Sequence, residues 1–218
     1  MSNAEMYDAA RQRIGELVRD GDVDAPVGAC PGWTVKDVVA HLAGGVGDFV
    51  ARRFDGVESG EWGERQVRER SGKSVRESLA EWDANLRKAA ELFDTPMGPV
   101  LLTEVISHEH DIRAALDRPG ERDNTAVRAA LTRPLQELDK KLRAEDLPAL
   151  RIELEHGPRI LGEGDPAGTL RVSSFELLRA VSGRRSEAQI RALDWDTDPG
   201  PWLGALSLFG GSRQALAE

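Results

Sequence analysis

Cysteine is nearly missing from this chain of 218 residues: Cys30 stands alone. An internal disulfide framework and a Cys-rich zinc finger are thereby excluded, and redox relay chemistry within the chain is not expected. Lysine is sparse as well, confined to Lys36, Lys73, Lys88, Lys140 and Lys141, and the arginines are scattered among 38 acidic side chains rather than gathered into a stripe. At a net charge of -9 with no local basic surface, nucleic acid is not an expected partner. The stretch MSNAEMYDAARQRIGELV holds acidic residues and no continuous apolar run. It reads as neither signal peptide nor spanning helix, so a soluble, cytoplasmic protein without a membrane partner is expected. Also lacking are a GxxxxGK phosphate loop, a nucleophile elbow and an aromatic-basic face for bases.

What is present is helical periodicity. Over residues 4–19, Met6, Ala9, Ala10, Ile14, Leu17 and Val18 recur at spacings of three and four, and the Gly- and Pro-rich stretch from Asp20 to Gly32 breaks that helix. A second helix opens with Thr34 as N-cap, Asp37 at the third helical position and Trp33 placed to pack on Val38. Its apolar stripe is Val35, Val38, Val39, Leu42, Val46 and Phe49. A polar stretch from Asp55 to Gly72 follows. Ser74 then caps a third helix running to Phe93, and a fourth spans about 100–117. Four amphipathic helices with modest connections predict a four-helix bundle.

The texture changes from about Thr125. AVRAALTRPLQELDKKLRA reads as a helix that tolerates or is kinked by Pro134, and LPALRIELEHGPRILGEG alternates like two strands about a turn at His156 to Pro158. GTLRVS adds a strand, FELLRAVSG a helix closed by Gly183, and EAQIRALDW a last strand. This is an α+β segment, and the boundary is expected between Asp117 and Thr125.

Within LLTEVISHEHDIRAAL, Glu104 and His108 are four residues apart, so a carboxylate and an imidazole stack on one helix face. His41 falls on the flank of its own apolar stripe, about 110° from the centre, where a seam between helices would lie. If it faces the same seam, two imidazoles and a carboxylate meet. That is the donor set of a catalytic zinc site with one position open. The plainer alternative is a surface Glu-His pair and a structural histidine. His110 is expected to face solvent or to support a ligand. Asp111 reads as a solvated helix charge and Cys30 as an inert loop cysteine with no His or helix N-terminus placed to ionise it. His156 carries no assignment. In GRRS, Arg184 or Arg185 could hold an anion, or both could simply cap a helix C-terminus.

These segments are similar to those of a known family. CPGWTVKDVVAHLAG resembles the opening of the metal-binding domain of the mycothiol-dependent maleylpyruvate isomerase family, a branch of the DinB-like four-helix metalloproteins. EVISHEHDIRAAL resembles its fourth-helix segment, and LLRAVSGRRSEAQIRAL with FGGSR resembles its sterol-carrier-protein-like C-terminal module. The resemblance implies an α+β fold, with a DinB-like four-helix bundle over 1–120 and a small sterol-carrier-like domain over 121–218. It makes His41, Glu104 and His108 the ligands of a divalent metal, commonly zinc, although nickel, iron or manganese suit the same donors. It also implies mycothiol as thiol cosubstrate. The metal-bound thiolate would add to the cis double bond of a maleylpyruvate-like electrophile, permit rotation and then leave. Related S-transferases keep only the addition or displacement.

By the same resemblance Arg184 would act in catalysis on carboxylates, and Arg184 with Arg185 would contact the cofactor. The partners are then a small electrophile and a low-molecular-weight thiol, for a monomer or homodimer. Two other readings stay open: a metal hydrolase or other thiol transferase on the same bundle, and a non-catalytic metal- or ligand-binding protein.

Overall fold

The computed structural model describes residues 1–57, 59–207 and 215–216. It divides into two compact units, Met1–Gly120 and Glu121–Glu218. The first is helical and the second adds a small mixed sheet, so the fold is α+β.

In the first unit, α1 (Asn3–Arg19), α2 (Val35–Ala51), α4 (Val75–Lys88) and α5 (Met97–Ala115) are the long helices. Two of them begin at the caps read from the sequence, Thr34 and Ser74, and α1 begins at a third, Ser2. Ser2 with Glu5, Thr34 with Asp37 and Ser74 with Glu77 each form a reciprocal capping box, which satisfies amide donors that a helix start leaves unpaired. Helix α2 packs on α4 and α5, and α1 packs on α5. The core between them is built from side chains such as Ile14, Val38, Trp82, Leu101, Val105 and Ile112.

One further helix departs from expectation: α3 (Glu61–Arg70) lies inside the stretch read as polar loop. Its sequence, EWGERQVRER, has no apolar period because the residues it buries, Gln66 and Arg70, are polar. It packs against α2 at glycines. A Cβ on Gly44 would stand 2.8 Å from Gln66 Cβ, so the close approach requires that position bare, and one on Gly63 would press on Trp33 Cη2, just before α2, at 3.1 Å. With α3 on a further flank, α2 is buried from Val38 through Val46 with no exposed face. A smaller difference lies between α4 and α5. The helix expected to reach Phe93 ends at Lys88, and a 3-10 turn, Ala90–Asp94, takes over.

The second unit begins with α6 (Thr125–Ala130) and α7 (Thr132–Ala144), separated at Leu131. Pro134 falls in the first turn of α7, where a missing N–H leaves no bond unmade. Strands β1 (Leu150–Leu154) and β2 (Gly157–Leu161) form a hairpin in the register Leu150 with Leu161 and Leu154 with Gly157. β3 (Gly168–Arg171) pairs parallel to β1, and the two-residue β4 (Asp194–Trp195) pairs antiparallel to β3, giving the order β2-β1-β3-β4. Helix α8 (Ser174–Val181) ends before Gly183, whose φ of 77° supplies the left-handed turn.

The last strand is much shorter than expected. EAQIR is helix α9 (Glu187–Arg191), started by a Ser186/Gln189 capping box that competes successfully with strand pairing. A 3-10 turn (Gly200–Trp202) and α10 (Leu203–Leu206) follow, and Trp202 stacks on Trp195 with ring centres 5.8 Å apart. FGGSR, 209–213, lies outside the described residues. Among the described residues no helix is long and apolar enough to cross a membrane.

Candidate metal centre

The geometry starts with the turn before α2. Val27 N–H donates to Trp33 O at 2.9 Å, Trp33 N–H donates to Cys30 O at 2.9 Å, and Pro26 bridges Thr34. This closed turn presents Cys30 and Trp33 beside the helix start, and the Thr34/Asp37 box sets the phase that aims His41. The Trp33 ring lies against His41, 5.1 Å between centres, rather than serving only as a helix staple. Its indole N–H donates to Glu64 of α3 at 2.9 Å.

His41, Glu104 and His108 come together. One donor atom from each lies within 4.8 Å of the others, and the two imidazole rings stand edge to face, 5.1 Å apart. His41 and His108 are buried, and Glu104 is partly open to solvent. His41 Nε2 faces Glu104 Oε1 at 3.0 Å. Its Nδ1 faces Gln66 Oε1 at 2.7 Å. His108 Nδ1 faces Asp111 Oδ2 at 2.9 Å, which leaves Nε2 to carry the ring's lone pair. Each imidazole therefore has an acceptor oxygen on Nδ1, an arrangement that orients histidines as metal ligands. Three nitrogen and oxygen donors on two packed helices fit a divalent cation of the zinc type.

Several side chains lie elsewhere than expected. Asp111 is not a solvated charge: it is 1% exposed and bound to His108. His110 is buried rather than solvent-facing. For Asp111 part of the cover is the 20–34 turn, whose Cys30 Sγ reaches its carboxylate. The neighbouring Glu109 is fully buried and clamped by Arg13 of α1 at 2.6 and 2.8 Å and by Arg113 at 2.9 Å. Cys30 is no isolated loop thiol. Its Sγ lies 3.8 Å from Asp111 Oδ2 and 3.9 Å from His108 Nδ1. Cys30, His108 and Asp111 form a second donor group sharing His108. A cation there would take up Asp111, the very group that orients His108, and would rely on a turn residue, so the set on α2 and α5 is the better-built one.

The aromatic surroundings come partly from α3. Trp62 meets His41 edge on at 6.1 Å between ring centres and donates its indole N–H to Arg53 O. Gln66 and Trp62 went unread in the sequence. The signal that could have found them is Gly44 and Gly63, small residues that mark where a helix must approach closely. Burial first, and then the Glu104 carboxylate, push the Tyr7 phenol far above its ordinary value, so it stays neutral.

Arg184 and Arg185 belong to the second unit. Arg184 donates to Ser182 O at 2.6 Å, and Arg185 makes a two-pronged pair with Glu176 at 2.8 and 2.9 Å. His156 Nε2 lies 2.6 Å from Arg128 Nη1.

Residues 7–178 match the protein family described as the mycothiol maleylpyruvate isomerase N-terminal domain. The chain belongs to that family. The matched region covers the whole first unit from Tyr7 and extends through Leu178 of α8, so mycothiol maleylpyruvate isomerase likeness is not limited to the helical unit. A solved structure titled as the mycothiol-dependent maleylpyruvate isomerase superposes with a TM-score of 0.52 over 84% of this chain and 88% of that one. At 11% identity, that likeness concerns the fold. No curated protein matches the sequence.

Proposed function

We propose that the chain is a cytoplasmic, divalent-metal-dependent enzyme that uses mycothiol in an isomerisation or S-transfer on a small, maleylpyruvate-like electrophile. The observation that carries the reading is the convergence of His41, Glu104 and His108, each imidazole braced at Nδ1, in a member of this family. Zinc suits the donors best. When bound, the cation supplies the positive charge that ionises a coordinated thiol near neutral pH. His41 and His108 hold it through neutral nitrogen, Glu104 offsets part of its charge, and Asp111 keeps His108 in register. Trp33 and Trp62 keep water from one side of His41. Arg184 and Arg185 are assigned to carboxylates of the thiol or electrophile.

The test is metal analysis of the purified protein beside His41→Ala, His108→Ala and Cys30→Ala, followed by turnover of maleylpyruvate with and without mycothiol. Near-stoichiometric zinc, lost in both histidine variants and kept in Cys30→Ala, with turnover only when mycothiol is added, is expected. Turnover without any thiol would point to a hydrolase instead. Metal binding with no thiol binding would point to a non-catalytic protein.

A further inference from the structure

We propose that Gln66, held by Asp48, is the positioning residue that determines which nitrogen His41 presents to the cation. The inference rests on the metal reading above and concerns residues outside the donor set. Gln66 is fully buried on α3. An amide can point either its oxygen or its NH2 group at an imidazole, and the two orientations have opposite consequences. Here the choice is made one step further away. The Gln66 Nε2 donates to Asp48 Oδ2 at 2.8 Å. That carboxylate already accepts Arg53 Nε at 2.7 Å and Arg65 Nη2 at 2.9 Å, and a carboxylate facing two guanidinium groups can only accept. The amide nitrogen is therefore committed to Asp48 and the amide oxygen to His41.

An oxygen 2.7 Å from Nδ1 requires a proton on Nδ1. A neutral His41 then carries its lone pair on Nε2, the nitrogen that faces Glu104 at 3.0 Å. A flipped amide would donate to Nδ1, place the ring proton on Nε2 and block coordination there. The chain Arg53 and Arg65 to Asp48 to Gln66 to His41 thus does for His41, with an amide, what Asp111 does for His108 with a carboxylate. It reaches across three elements: α2 supplies His41 and Asp48, α3 supplies Arg65 and Gln66, and the turn after α2 supplies Arg53. Gly44 lets α3 come close enough for the link to form.

Gln66→Met removes both hydrogen bonds at similar volume and leaves Asp48 on its two arginines. Zinc affinity is expected to fall about 10–100-fold; the stranded buried His41 donor also lowers the melting point of the metal-free protein, so affinity is compared well below that melting point. In the zinc-loaded wild type, imidazole nitrogen-15 shifts should place the metal on Nε2 of His41, with an Nδ1 proton that exchanges slowly with water. That proton should exchange fast in Gln66→Met. The paired exchange Asp48→Asn with Gln66→Glu restores an acceptor toward His41 and a donor toward residue 66, and should recover most of the affinity. Should methionine at 66 prevent folding, the nitrogen-15 measurement on the zinc-loaded wild type decides alone. Unchanged zinc affinity in Gln66→Met, or zinc on Nδ1, overturns the positioning role while the metal reading stands. Failure of the wild type to bind zinc any better than His108→Ala overturns the metal reading and this role with it.

Discussion

Tyr7 and Trp82 are both buried, and the Trp82 indole N–H donates to the phenol oxygen at 3.0 Å across the α1–α4 seam. Tyr7→Phe keeps the ring and removes the acceptor, stranding a buried donor. The expected cost is about 1–3 kcal/mol, read as a lower urea midpoint at an unchanged slope. The same local logic explains which site residues were legible one at a time. Glu104 and His108 stand out because four residues on a helix is a contact distance. His41 stands out because its helix start is written in Thr34 and Asp37. Gln66 and Cys30 do not, since their relation to His41 and His108 spans 25 and 78 positions of sequence and is made only when helix and turn are docked.

Helix α3 shows what docking decides. It is anchored from α4 by Glu81, whose carboxylate accepts Arg70 at 2.7 and 3.1 Å and Lys73 at 2.7 Å. Burial alone would raise Glu81, but the bonds from Arg70 and Lys73 outweigh it and hold the carboxyl below 4.5. A group whose folded value is lowered contributes stability above its unfolded value, and that contribution is lost as pH falls through the folded one. Stability should therefore decline as pH drops below 4.5, and α3 should loosen. Glu81→Gln should be less stable at neutral pH and show a flatter decline, measured by urea unfolding at neutral pH and at successive points below 4.5. Why α3 escaped sequence reading follows from the same contacts. Its buried side chains are satisfied by charge and hydrogen bonding, so they leave no apolar period to read.

All three proposed donors lie in the first unit, Met1–Gly120, on α2 and α5. A ligand that binds only the folded form stabilises it by mass action, about 2.7 kcal/mol at a hundredfold excess over Kd. Zinc should therefore raise amide-exchange protection in α2 and α5 and leave β1 to β3 unchanged, and His108→Ala should abolish the effect. The family match, in contrast, runs across both units to residue 178, so the shared ancestry covers more of the chain than the proposed centre does. The α+β class, the helix starts at Thr34 and Ser74 and the hairpin were determined by the sequence alone, because each depends on residues within a few positions of one another. A two-residue β4 and the helical α9 were not, since a capping box and a short strand compete on nearly equal local terms. Burial of Asp111 and His110, the turn that brings Cys30 to His108, and the amide orientation of Gln66 were decided only by tertiary structure. Each depends on which polar group a distant element supplies once water has been excluded, and no local period encodes that.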